Sequence, residues 1–156
     1  MPRFIVDINA ARLAKWLRAM GYDTLLVPGA DDGELMRIAL HQDRVLLTRD
    51  SHLVERRVVT TGQLQALLLR HDDIREQLRQ VVREYRLNSD NGFSRCIRCN
   101  LPLEGLPRQE ARGLVPPYVF ETHDGFMRCP QCGRVYWKGT HWANMCRDLE
   151  EIQEER

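Results

Sequence analysis

Residues 3–27 read RFIVDINAARLAKWLRAMGYDTLLV. The first four are an apolar-centred run that reads as a buried strand. Over residues 9–20, Leu13, Trp16, Leu17 and Met20 fall at i, i+3, i+4 and i+7, one face of a helix. Asn9 is a candidate N-cap, and Gly21 a candidate stop just past the helix. Residues 24–27 form a second apolar run, closed by Pro28 and Gly29. Strand, helix and strand in quick succession predict a crossover between parallel strands.

The pattern then repeats. Asp32 is placed to cap a helix whose apolar face is Leu35, Ile38 and Ala39. Residues 44–48 read as a third strand, 51–58 as helix and 66–69 as a fourth strand. Asp72 and Asp73 open a helix to Tyr85 with Ile74, Leu78, Val81, Val82 and Tyr85 on one face. Four such units, with strands apolar throughout, predict an α/β fold: a parallel β-sheet covered on both sides by flanking helices. Residues 87–92 form a polar hinge. The expected organisation is a first domain at 1–90 and a second segment at 91–156. The tail, 148–156, holds five acids and one arginine and reads as a solvated helix end.

With 156 residues, 29% charged, 43% hydrophobic and net charge +1, the chain has the composition of an ordinary folded protein. A disordered chain, a fibrous repeat and a bulk polyanion binder are excluded. No apolar run approaches the roughly 20 residues that cross a bilayer. The start of the chain meets Asp7 before any signal-like apolar stretch. Neither a membrane nor secretion is expected. All but two of the 23 basic residues are arginine. Arginine suits bidentate phosphate contacts, although a coding bias gives the same count.

Cysteine usage says more. Cys96 and Cys99 form one Cys-x-x-Cys pair, Cys129 and Cys132 a second, 29 residues on. Two such pairs predict one tetrahedral Zn²⁺ site, closed by four ligands and therefore structural. Asn100 and Gly133 follow the pairs and tolerate the left-handed backbone such turns require. Cys146 fits neither pair. Five cysteines in this pattern argue against a disulfide scaffold and for a reducing, cytoplasmic setting. The run 136–142 mixes aromatics with Lys138 and His141; it either stacks on single-stranded bases or docks the ribbon, through Trp137 and Trp142, onto the first domain.

In an open α/β sheet, ligands bind beyond the carboxyl ends of the strands. Here every strand delivers an acid there: Asp7 after the first, Asp31, Asp32 and Glu34 after the second, Asp50 after the third, Asp72 and Asp73 after the fourth. Converging carboxylates repel unless a cation neutralises them, and hard cations such as Mg²⁺ or Mn²⁺ take oxygen ligands. Helix capping competes for each acid taken singly. Arg12, Lys15 and Arg18 lie on the first helix, opposite its apolar stripe, where Arg12 and Lys15 share a face. Arg49 stands inside the acidic motif as an ion-pair partner for Asp50 or a phosphate contact.

The segments Phe4–Asp7, Arg12–Arg18, Gly21–Thr24, Leu46–Asp50 and Cys129–Trp137, followed by Gly139–Trp142, resemble the Mut-seven carboxy-terminal RNase family. That resemblance implies a PIN-like nuclease domain with a small C-terminal zinc ribbon, and RNA as partner. It implies a Mg²⁺- or Mn²⁺-dependent hydrolysis of RNA phosphodiester bonds. Asp7 and Asp50 would hold the ion, Asp32 or Glu34 would complete the acidic set, and Arg12, Lys15 and Arg49 would position phosphate. Related sequences carry an acid two positions after Thr-Arg-Asp, where this chain has His52. The rival expectations are a non-catalytic adaptor binding RNA or protein through the ribbon, and a toxin-like nuclease with a dedicated antitoxin.

Overall fold

The computed structural model describes residues 1–154. Four parallel strands, β1 (Phe4–Val6), β2 (Thr24–Leu26), β3 (Val45–Thr48) and β4 (Ala66–Leu68), form one sheet in the order β2-β1-β3-β4. Phe4 pairs with Thr24 on one side and Val45 on the other; Leu47 pairs with Leu67. The crossover helices are α1 (Ala11–Ala19), α2 (Asp32–His41) and the short pair α3 (Ser51–Val54) and α4 (Arg57–Thr60); α5 (Ile74–Tyr85) follows the last strand. The α/β architecture expected from the alternation is therefore present.

Strand alternation sorts the apolar side chains onto two faces. Phe4, Val6 and Leu47 pack with Leu13, Leu17, Leu78, Val81 and Val82 from α1 and α5. Ile5 and Leu46 face the other way, against Leu35, Met36, Ala39 and Leu53. Both layers are filled, which is why the strands lack a polar alternate.

Several local expectations change. Asn9 does not cap α1. Asp7 does the capping instead, at a 3₁₀ turn over Ile8–Ala10 that leads into the helix. Asp31, not Asp32, caps α2, its carboxylate accepting the Glu34 amide at 2.8 Å. Asp73 caps α5. Gly21 does end α1, at φ +96°, and a side chain there would strike the Asn91 carbonyl, 2.2 Å from where its Cβ would sit.

That contact shows that the polar hinge is not loose. Leu87 is buried, the Tyr22 hydroxyl accepts the Asn88 amide at 3.0 Å, and the Phe93 amide donates to the Ala19 carbonyl. Beyond it lies an antiparallel sheet of β5 (Glu104–Leu106), β6 (Phe126–Arg128) and β7 (Val135–Tyr136), with α6 (Arg108–Ala111) and α7 (Pro117–Thr122) inserted after β5. This ribbon has a small core of its own, in which Leu106, Ala111, Val115, Val119 and Phe126 meet Trp137.

The chain then returns as α8 (Thr140–Glu154). Met145, Leu149 and Ile152 join the core that α1 and α5 form with the sheet, α8 lying against α5, with Trp142 packed beside them. As far as Ile152 the tail is thus no solvated helix end, while 155–156 lie outside the described residues. Glu150 is exposed, and Asp148 and Glu151 pair with Arg75 of α5. Of these two tryptophans, Trp142 packs against the core on the parallel sheet while Trp137 stays in the ribbon. Leu149 is 1% exposed, so Leu149→Ala should lower stability by about 2–5 kcal/mol in urea unfolding. A frayed tail would give a change within about 0.5 kcal/mol.

Candidate active site and metal centre

The sheet order reverses direction between β1 and β3: the chain steps from β1 outward to β2, then crosses back to β3. The crevice at their carboxyl ends is the topological switch point of the fold. Asp7 follows β1 directly and Asp50 follows β3 with one residue between. Thr48, fully buried at the end of β3, links them. Its hydroxyl donates to Asp7 Oδ2 at 3.0 Å and accepts the Asp50 amide at 3.0 Å. The other Asp7 oxygen accepts the Asn9 amide, and Asp50 Oδ1 accepts the His52 amide at 2.9 Å.

Asp7 is 8% exposed, the one buried carboxylate among the described residues, and it forms no ion pair among them. Its hydrogen bonds come only from a hydroxyl and an amide. A buried anion satisfied by neutral donors retains a field that favours a cation. Asp32 and Glu34 lie exposed in the first turn of α2, and no hydrogen bond or ion pair joins them to Asp7 or Asp50. Arg12 and Lys15 are exposed on α1, but Arg18 is buried and faces inward. Arg49 pairs with Asp72, not Asp50, and its Nε is buried without a partner. His52 is exposed beside Glu55. A separate concavity of about 460 Å³, lined by Pro2, Arg44 and Gln65 among others, lies at the amino edge of the sheet, away from these acids.

The second cluster is built from two near-identical turns. In each, the amide of the second cysteine donates to the sulfur of the first: Cys99 to Cys96 Sγ at 3.3 Å, Cys132 to Cys129 Sγ at 3.5 Å. In each, the next residue is left-handed, Asn100 at φ +63° and Gly133 at φ +76°, and its amide returns to the first cysteine's carbonyl. All four sulfurs lie within 4.8 Å of one another, and Cys96 and Cys132 are 3.8 Å apart. Tetrahedral Zn–S bonds of about 2.3 Å put sulfurs about that far apart. Among the described residues this is the one group of three or more Cys, His, Asp or Glu side chains so assembled; Cys146 is outside it.

Burial raises the Cys96 thiol, but hydrogen bonds from Tyr136 and from the Cys99 and Arg98 amides outweigh it and bring it down to about 7. Desolvation and the neighbouring sulfurs push Cys99 up to about 12. Left to themselves the sulfurs cannot all ionise. A divalent cation removes that conflict, so the donor set fits a structural metal such as zinc.

The profile of the Mut7-C RNAse domain matches residues 2–149, nearly the whole chain. The chain belongs to this family. No curated protein and no solved structure matches it. Membership of the Mut7-C RNAse domain family makes it a ribonuclease-family protein whose implied substrate is RNA. No helix among the described residues is long and apolar enough to cross a membrane.

Sequence reading missed how this Mut7-C chain joins its halves. Asn100 is not only a turn residue. Its Oδ1 accepts the Thr24 amide at 2.9 Å, and its Nδ2 donates to Asp23 at 2.6 Å. Arg44 completes the junction with two bonds to the Asp23 carboxylate. Arg18 reaches across to the carbonyls of Thr24, Ile97 and Arg98. The signal was present only as an adjacent Gly-Tyr-Asp-Thr motif with no visible partner.

Two predictions follow from these contacts. Protein purified without chelator should carry one zinc per chain, retained by Cys146→Ser and lost by Cys129→Ser, as read by elemental analysis. Second, burial raises the Asp23 carboxyl, but the hydrogen bonds from Arg44 and Asn100 outweigh it and hold its pKa below the ordinary value. Its contribution to stability is therefore complete above about pH 4 and is lost as pH falls through the lowered value. In Asp23→Asn, melting temperature should lose that part of its acid dependence.

Proposed function

We propose that the chain is a metal-dependent ribonuclease acting at the switch point between β1 and β3. The observation that carries this reading is Asp7: a buried, unpaired carboxylate at the position where this sheet class binds ligands, tied through Thr48 to a second acid, Asp50. Oxygen donors suit Mg²⁺ or Mn²⁺, and Mg²⁺ is commonly held by one or two carboxylates plus substrate phosphate. Asp7 and Asp50 would hold the ion. When bound, it would supply Lewis-acid stabilisation of charge on the scissile phosphate and its attacking and leaving oxygens.

The chain's own residues have distinct tasks in this reading. Thr48 orients the Asp7 carboxylate by donating to Oδ2, leaving the outer lone pairs free. The Asn9 and His52 amides fix the remaining rotation of the two acids. Arg12 and Lys15, one turn apart on the helix that starts beside Asp7, would hold flanking phosphates. Arg49, held by Asp72, would add a further phosphate contact through the exposed part of its guanidinium. Asp32 or Glu34 would join on substrate binding. No side-chain base is needed, and the exposed His52 is not assigned one.

Asp50→Asn keeps an acceptor for the His52 amide and removes the charge. It should reduce manganese-dependent cleavage of unstructured RNA to background with stability changed by less than about 1 kcal/mol. Cleavage at the wild-type rate with a lowered melting temperature would show that Asp50 is only a helix cap. The non-catalytic adaptor reading predicts no cleavage by the wild-type protein under any divalent cation.

A further inference from the structure

The two cysteine turns carry more cations than the ion pairs of the fold use, although Lys138 also lies over the Phe93 and Trp142 rings. Residues 94–103 and 126–142 contain Arg95, Arg98, Arg128, Arg134 and Lys138 and no acid. A zinc tetrathiolate has two net negative charges, so some of this charge is needed for balance. Two inward guanidinium groups meet that need. Arg18 is buried against the carbonyls of Ile97 and Arg98, and the half-buried Arg95 donates to the Asn100 carbonyl at 2.7 Å. The rest face outward. Arg98, Arg128, Arg134 and Lys138 are exposed, and none forms an ion pair among the described residues.

The outward arginines sit close around the sulfurs. Arg98 lies inside the first turn. The Arg128 guanidinium lies against Gly133 of the second turn, 3.5 Å from where a Cβ would stand, although Glu104 is its ladder partner. Arg134 lies over the Tyr136 ring, 5.6 Å from its centre, and the Tyr136 hydroxyl reaches Cys96 Sγ at 3.1 Å.

From this arrangement we infer that the rim of the zinc turns is a second RNA contact, gripping backbone phosphates without reading bases. This rests on the ribonuclease reading for the identity of the polyanion. Planar, unpaired guanidinium groups suit phosphate oxygens. Tyr136 is no base-stacking platform, being half-buried with its hydroxyl turned inward, and the Phe93 and Trp142 rings are tilted against each other under Lys138. No apolar anchor for an acidic protein is presented either. The exposed large hydrophobic residues are Met1, Ile8, Leu40, Leu114 and Tyr118, none in either turn. The first turn docks at the amino end of β2, while Asp7 and Asp50 lie at the carboxyl edge. A bound strand must therefore cross at least the roughly 10 Å length of a three-residue strand to touch both.

The test is fluorescence anisotropy of labelled unstructured RNAs of two base compositions, with the zinc-loaded full chain, across a salt series without added Mg²⁺ or Mn²⁺. The variants are Arg98→Gln/Arg128→Gln/Arg134→Gln and the matching triple lysine variant, each checked for zinc content and melting temperature. The glutamine variant should lose about tenfold or more in affinity, equally for both RNAs. Its slope of log K against log salt should fall by about 2, the single-strand value for three lost phosphate contacts. The lysine variant should keep the wild-type slope, which a merely structural role would not predict.

An unchanged slope in the glutamine variant overturns the proposal, as does a loss confined to one RNA. Competition by polyglutamate or anionic vesicles as effective as that by RNA also overturns it. Binding of this kind without cleavage under Mn²⁺ would remove the nuclease reading and leave the rim standing. Cleavage with unchanged binding by the glutamine variant would do the reverse.

Discussion

The buried amide of Thr24 sets the terms on which the two halves of this chain meet. Thr24 starts the edge strand of the parallel sheet and is fully enclosed, so its N–H must find an acceptor inside the protein. The acceptor is the side chain of Asn100, a residue already committed to a left-handed turn by the cysteine pair in front of it. One residue thus serves two structures. Its backbone closes the first metal-binding turn, and its amide group completes the sheet edge and orders Asp23, which in turn holds Arg44 against the carbonyls of Phe4 and Asp23. The cost of leaving any of these buried groups unpaired is what fixes the ribbon's orientation on the sheet.

The elements most legible in the sequence were those whose own residues decide them. Phe4–Val6 and Val45–Thr48 are apolar throughout because both faces are covered, and Leu13, Leu17 and Met20 mark the buried side of α1 unaided. The paired cysteines with Asn100 and Gly133 behind them declared their turns in the same way. What was not legible depends on partners distant in sequence. Arg18 looked like surface charge because its three carbonyl acceptors are supplied partly by residues 97 and 98. The end of α8 looked solvated because its acids outnumber Leu149 and Ile152, yet those two residues decide where the helix lies. Capping positions slipped by one or two residues, from Asp32 to Asp31 and from Asn9 to Asp7. Neighbouring side chains of similar chemistry compete for one amide, and only the backbone path decides between them.

The acidic edge shows the same division. Asp7 and Asp50 could be placed from strand ends alone, whereas their link runs through the hydroxyl of Thr48, a residue that reads simply as the last position of a strand. The candidate site consequently has two tied acids and a looser periphery. The Asp7 carboxylate is held by the buried Thr48 hydroxyl and the Asn9 amide, and that of Asp50 by the His52 amide, with the Asp50 backbone tied to the same hydroxyl. Asp32, Glu34, Arg12 and Lys15 are exposed and free to adjust to a polyanion. That distribution suits the proposed reading, in which the tied pair would hold an ion in one place and the exposed set would adjust to a flexible strand.

The return of α8 to the sheet also governs how the protein is made. Leu13 and Leu149 share one core but are separated by most of the chain, so that core is incomplete until α8 has been made. During that interval the side of α5 that α8 covers faces solvent, and loop-closure entropy opposes an early encounter. Metal capture by the cysteine turns would shorten the effective loop before α8 arrives. Zinc supply during synthesis would then influence the yield of folded protein.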